Sequence, residues 1–292
     1  MRQFSDYNPA AVAVWFFSVT GIAMFCSYPP LTVITALGGI LFYLLGAGFS
    51  HGKTHLLFGM LFLVLALANP LISHNGVTVL FVLNHNPVTL EALLYGINSA
   101  AMIVGVLYWF RSFTRIMTSE KLLYLTGMLT PKLSLVLSMA LRFVPLLRRQ
   151  SEKIHDSQLA LGLYREDTMP DLIKGKMREF SILITWALEN GITTADSMTA
   201  RGYGIRHRST YRRFRFQAGD ILLLGVTAVL LGICAYVIHR GAFAFAFYPA
   251  VTMQPPGYLT VCGLLSYAVL VLLPFGIEME VGIRWRSLLS HM

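Results

Sequence analysis

The chain has 292 residues, 55% of them hydrophobic and only 13% charged. Soluble domains carry about 25% charged residues, so about half the usual solvating charge is missing, which excludes an ordinary water-soluble domain. The net charge of +9 does not point to nucleic acid, because the basic residues flank apolar segments and fill one central block, a pattern that encodes topology in a membrane protein.

Apolar runs near the roughly 20 residues that span a bilayer as a helix recur along the chain. Residues 1–9 are short and polar, and Asp6-Tyr7-Asn8-Pro9 predicts a turn and a helix cap. Residues 11–28 form the first predicted span, with Trp15 and Tyr28 near its ends as interface aromatics. This run is as long as a span, so it is expected to stay in the mature protein. Pro29-Pro30 turns the chain into a second span, 31–49, which carries the small pair Gly38-Gly39. A tight polar loop, 50–55, leads to a third span, 56–72. Residues 73–88 form a longer loop without Lys or Arg. Its apolar, β-branched centre fits either a re-entrant piece or a short helix. Residues 89–110 are the fourth span, followed by Arg111 and Arg115.

Residues 121–147 are largely apolar but broken by Pro131, Lys132, Arg142 and Pro145. Arg142-Phe143-Val144-Pro145-Leu146-Leu147-Arg148-Arg149 reads as a helix leaving the membrane surface. Proline bends it, and Arg148 and Arg149 anchor it to anionic lipid at about 1 kcal/mol each. Residues 150–163 continue as an amphipathic helix, 164–176 are a polar link, and 177–201 are a second helix. That helix ends in Thr199-Ala200-Arg201-Gly202-Tyr203-Gly204. Small residues there let another surface come close, and arginine offers a rigid fork of donors that suits a carboxylate. Gly202 and Gly204 stop the helix, and a basic run follows from Arg206 to Arg215. Asp220 opens a fifth span, 221–239, and 258–275 are the sixth.

The prediction is an all-α polytopic bundle of about six spans, with a pair of amphipathic helices in the cytoplasm. It divides into residues 1–115 (spans), 116–216 (surface and cytoplasmic helices) and 217–292 (spans and tail). With both termini in the cytoplasm, nearly all Lys and Arg fall inside, as the positive-inside rule requires.

Few motifs offer chemistry of their own. Residues 46–54 resemble a phosphate-binding loop, but Ala47 stands where glycine is needed and no strand precedes it. His51 and His55 share a helical spacing, and His74 and His85 lie in the 73–88 loop, but a metal site needs three or four ligands. Polar loop residues are the better reading, so no metal site is expected. Glu91 is the one acid near the start of a span, and a capping role suffices for it. Cys26, Cys234 and Cys262 sit inside apolar runs and read as free, packed thiols. No catalytic set emerges. The surface helices, by contrast, exceed what topology requires. They keep Leu146, Leu147, Ile154, Leu159, Leu161 and Leu163 at helical spacing, the kind of surface a partner covers.

With these residues in hand, the chain resembles the transmembrane (T) component of energy-coupling factor transporters, the CbiQ/EcfT-like family. Ser197-Met198-Thr199-Ala200-Arg201-Gly202-Tyr203-Gly204 is the specific match. Asp6-Tyr7-Asn8-Pro9, Thr89 to Gly96, and Arg142 to Leu147 with Ser157 to Ala160 support it. The resemblance implies a non-catalytic subunit in the plasma membrane of a prokaryote, serving vitamin or metal-ion uptake. It implies two coupling helices that bind a pair of cytoplasmic ABC ATPases, and a separate substrate-binding S component in the membrane. ATP and magnesium would be bound by the ATPases, so no cofactor is expected in this chain, and no nucleic acid. Ala200, Arg201 and Gly202 would form one docking tip. The other would be Ala160, Leu161 and Gly162, where leucine replaces the family's arginine. Arg165 could supply that charge, and two non-identical ATPases would explain the difference. Arg142, Pro145, Arg148 and Arg149 would position the first coupling helix. The rival readings are a passive membrane anchor and a stand-alone permease. The permease would need more ionisable groups within spans than Glu91 alone.

Overall fold

The computed structural model describes residues 3–47, 52–73, 76–83, 86–163, 169–203, 214, 216–249, 251 and 257–289. A 3-10 turn, Phe4–Asp6, precedes α1 (Pro9–Phe25), α2 (Pro29–Ala47) and α3 (Gly52–Ile72). Two short strands follow, β1 (Val79–Leu83) and β2 (Asn86–Thr89). Then come α4 (Leu90–Ile116), α5 (Ser119–Leu129), α6 (Pro131–Ala160), α7 (Met169–Ala200), α8 (Ala218–His239) and α9 (Tyr258–Leu289). The chain divides into two compact units, residues 1–122 with 214–292, and residues 123–213.

In the first unit, α2, α3, α4, α8 and α9 are long and apolar enough to cross a membrane. The chain is a membrane protein built of helices. The expected first span forms α1, an apolar helix of 17 residues, at the short end of the roughly 17–25 residues that cross a bilayer. It is also the innermost helix. Ala11, Val12, Trp15, Phe16, Val19 and Ala23 are all buried, whereas Val14, Phe17, Met24 and Phe25 are exposed. Asn8 caps it, accepting from the Ala10 amide at 3.0 Å. The Asn8 amide in turn donates to Asp220 at 2.9 Å, which ties the start of α1 to the start of α8. The last helix runs well beyond the expected sixth span, to Leu289.

Trp15 and Tyr28 are not interface anchors. Trp15 is fully buried and donates its indole N–H to the Leu270 carbonyl at 3.0 Å. It sits edge-on to Phe4, Phe16 and Trp109. Tyr28 is buried and stacks on Phe243. A second indole, Trp109, donates to the Thr35 carbonyl at 3.0 Å. These bonds satisfy the polar atoms that large aromatics bring into an apolar interior.

The loop at 73–88 is not helical in its described part. It is a two-stranded antiparallel hairpin, with Val79 opposite Thr89 and Leu83 opposite Asn86. Its base is fixed to α4. The Leu90 amide donates to the Thr78 carbonyl at 3.0 Å. Glu91, buried, accepts from the Thr78 hydroxyl at 2.7 Å and from the Thr78 amide at 3.2 Å. Thr89 supplies the helix cap, accepting from the Ala92 amide. The expected capping role thus belongs to Thr89, while Glu91 holds the hairpin. Gly76 permits this closeness, because a Cβ there would lie 2.6 Å from a Glu91 carboxylate oxygen.

Close approach also explains a glycine on α4, which packs along both α2 and α3. A Cβ at Gly96 would stand 2.5 Å from the Ala66 carbonyl oxygen of α3. Backbone cannot yield cheaply, so Gly96→Val is expected to force α3 and α4 apart and cost about 1–3 kcal/mol. A lower thermal unfolding midpoint in detergent checks this. An unchanged midpoint would contradict the packing described.

Candidate docking site on two capped helix ends

The second unit is built around α6 and α7. The helix of α6 runs unbroken through Pro145, although proline has no amide proton to bond back to the Leu141 carbonyl. The helix expected to leave the surface at 142–149 and continue from 150 is part of this one element, which starts at Pro131 and ends at Ala160. The expected link at 164–176 is helical from Met169 onward. Arg142, Pro145, Arg148 and Arg149 are all exposed. Arg148 pairs with Glu152 one turn on, at 3.4 Å, with both side chains largely in solvent. Such a pair contributes little.

Both helices end in the same way. At α6, the Gly162 amide donates to the Leu159 carbonyl at 2.9 Å and the Leu163 amide to Gln158 at 3.1 Å. At α7, the Gly202 amide donates to Thr199 at 2.9 Å and the Tyr203 amide to Met198 at 2.9 Å. Gly162 and Gly202 have φ of +67° and +79°. This is the Schellman cap, in which a left-handed glycine lets the chain turn back and satisfy the final carbonyls. Ala160-Leu161-Gly162 and Ala200-Arg201-Gly202 thus occupy equivalent positions, and all except the partly covered Gly202 are exposed. Leu161 is 69% exposed. Among the described residues the Arg201 guanidinium has no hydrogen-bond or ion-pair partner. Arg165, Gly204 and the basic run 206–213 with Arg215 lie outside the described residues, as do His51, His74 and His85.

The two tips are held apart. Helices α6 and α7 meet at Ile154 on one and at Gly175 and Glu179 on the other, all buried. The Glu179 carboxylate is gripped from both sides, by His155 at 2.5 Å and Lys176 at 3.1 Å. Burial acts most strongly on this carboxyl and would raise its pKa. The hydrogen bonds and charges of His155 and Lys176 outweigh it, and the pKa lies below the ordinary value. Close by, Arg178 donates to the Gln158 side chain and the Leu163 carbonyl, both at 3.4 Å. The end of α6 therefore sits beside Arg178. The end of α7 lies 22 residues further on, roughly 33 Å along the axis.

Arg178, His155, Lys176 and Glu179 were not legible as site residues. They come together across two helices, and only the packing register shows it. Arg178 brings a guanidinium to the tip that lacks one in sequence. One face of α7 also carries Met169, Ile173, Met177, Phe180, Ile184, Leu188 and Ile192, all exposed in this chain. Their spacing of three or four residues forms one continuous apolar stripe. Among the described residues no cluster of three His, Cys, Asp or Glu side chains is placed to hold a metal ion.

No protein-family model matches the chain. It is 36% identical over 104 residues to the energy-coupling factor transporter transmembrane protein EcfT of Listeria innocua. That match covers 35% of this chain and 39% of the relative. It is 37% identical over 107 residues to EcfT of Lacticaseibacillus paracasei, again covering 35% and 39%. A Mycoplasma pneumoniae protein described as the MG181 homolog is 32% identical over 114 residues, 37% of this chain and 26% of that one. The chain thus spans between about a quarter and two fifths of the length of these curated relatives. Over about a third of its own length, it is similar to transmembrane proteins of energy-coupling factor transporters.

Proposed function

We propose that this chain is the transmembrane coupling subunit of an energy-coupling factor importer in a prokaryotic plasma membrane. The two capped tips of α6 and α7 dock on two cytoplasmic ABC ATPases, which bind ATP and magnesium. Motion of the ATPases passes through α6 and α7 to a membrane-embedded S component that carries a vitamin or a metal ion. The chain itself catalyses no reaction. The observation that carries this reading is the pair of identically terminated, exposed helix ends about 30 Å apart. Two such ends suit two partners better than one. The exposed apolar stripe on α7 supplies a surface for a partner such as the S component to cover. The positive-inside distribution supports a cytoplasmic side for α6 and α7.

Purification of the tagged full chain from its native membranes tests this reading. Co-purifying ABC ATPases are expected. Their absence, with a different set of stable partners, would favour a passive anchor instead.

The tips differ in chemistry, Leu161 against Arg201, and this supports docking of two non-identical ATPases. Leu161 offers apolar contact, with Arg178 beside it, whereas Arg201 offers a charged fork. Leu161→Arg is expected to weaken binding of one ATPase and leave the other unchanged. Equal effects on both would remove the case for asymmetry.

A further inference from the structure

A cavity of about 560 Å³ lies in the first unit. It is formed where the C-terminal ends of α2 and α4 meet the start of α5 and the later part of α9. Its lining includes Arg115, Lys121, Glu278 and Ser112, with Leu45 and Val281 as apolar wall.

Its depth follows from helix geometry. Arg115 lies 25 residues beyond the start of α4 and Glu278 lies 20 beyond the start of α9. At 1.5 Å per residue these are roughly 37 and 30 Å, and the hydrocarbon core is about 30 Å thick. Both charges therefore stand near the headgroup level, at the end of the bundle opposite the hairpin. Leu45 lies 16 residues into α2, roughly 24 Å, and faces the acyl side of that boundary.

The polar groups do not satisfy one another. Arg115 and Glu278 line the same cavity, yet among the described residues they form no ion pair. Ser112 is 4% exposed, and among the described residues its hydroxyl has no hydrogen-bond partner. Ser112 and Arg115 are three apart and so share a face of α4. The ammonium of Lys121 gives two of its three N–H groups to the carbonyls of Ser5 and Ile116, at 2.5 and 3.0 Å. This fixes a cation at the cavity edge. A free phosphate would meet the Glu278 carboxylate as well as the two cations. A ligand that carries both signs and an apolar end fits every group.

We propose that this cavity seats the headgroup of a zwitterionic phospholipid of the ethanolamine type. Arg115, Lys121 and the Ser112 hydroxyl take the phosphate. Glu278 takes the ammonium, which donates hydrogen bonds that a choline group cannot. Leu45 and Val281 cover the glycerol end. The inference does not depend on which proteins dock at α6 and α7.

Native mass spectrometry of the delipidated full chain tests it, with ethanolamine, choline and glycerol phospholipids of matched acyl chains. Ethanolamine lipid is expected to be retained about tenfold better than choline lipid, the worth of one charge-assisted bond. Glu278→Gln is expected to erase that preference, and Arg115→Gln to lower retention of all three. Equal retention by the wild type, or a preference unchanged in Glu278→Gln, would overturn the proposal. So would displacement of the lipid by excess inorganic phosphate, which would make the site a simple anion pocket. A photo-crosslinking ethanolamine lipid on the wild-type chain guards against variants that fail to fold. Labelled peptides should contain residues 112–121 or 278–281, and labelling confined elsewhere refutes the site.

Discussion

Arg201→Ala is expected to leave the chain folded in the membrane while stripping it of ATPase. The guanidinium makes no bond within the described residues, so its removal breaks none there. Its exposed place at a helix tip leaves it open to a partner. Truncating one side of a charge-assisted pair that becomes buried on association typically costs about 2–5 kcal/mol. Arg201→Lys keeps the charge but loses the planar fork that grips a carboxylate with two bonds, so it should fall between the two. Pull-down of ATPase on the detergent-solubilised chain measures the effect, and loss of substrate uptake should follow it. Wild-type retention by Arg201→Ala would end the assignment of this tip as a docking site.

That tip was readable because its information is local. A left-handed glycine after a run of small residues marks a helix end, and the cap bonds at Gly202 are those the string implies. The bundle was readable for a similar reason, since length and hydropathy along one segment decide whether it can span. What hydropathy cannot distinguish is lipid from protein interior, because both reward apolar side chains. Trp15 therefore read as an interface anchor although it lies in the core. Residues 79–83 are apolar and short, a length at which strand and helix look alike. Their pairing with 86–89 is a contact between two segments, which the pattern of neither one states. The grip on Glu179 was invisible for a different reason. His155 and Glu179 are 24 residues apart on separate helices, and no one-dimensional pattern states the register in which two helices meet.

Glu179→Ala should release the two docking helices from one another. The carboxylate is buried against α6, at 7% side-chain exposure, while His155 and Lys176 keep 30% and 58% of theirs. Its loss removes an acceptor from both donors where α6 and α7 share a buried polar contact. A cost of about 1–3 kcal/mol is expected, with Glu179→Gln retaining part of the contact through its amide oxygen. The pH dependence has a definite sign. The folded pKa lies below the ordinary 4.5, so on acidification the unfolded chain takes up the proton first. The stabilisation is therefore complete above about pH 4.5 and is lost as pH falls through the lower, folded value. Hydrogen exchange measures the release directly, with faster exchange expected at residues 154–163 and 175–179 in the alanine variant at neutral pH. The α7 tip lies roughly 33 Å further along the helix and keeps its own cap. Docking there should persist while docking at Leu161 weakens, because that tip is positioned by Arg178 one residue before the lost carboxylate. Unchanged exchange, or equal weakening at both tips, would mean that this carboxylate does not set the geometry of the first tip.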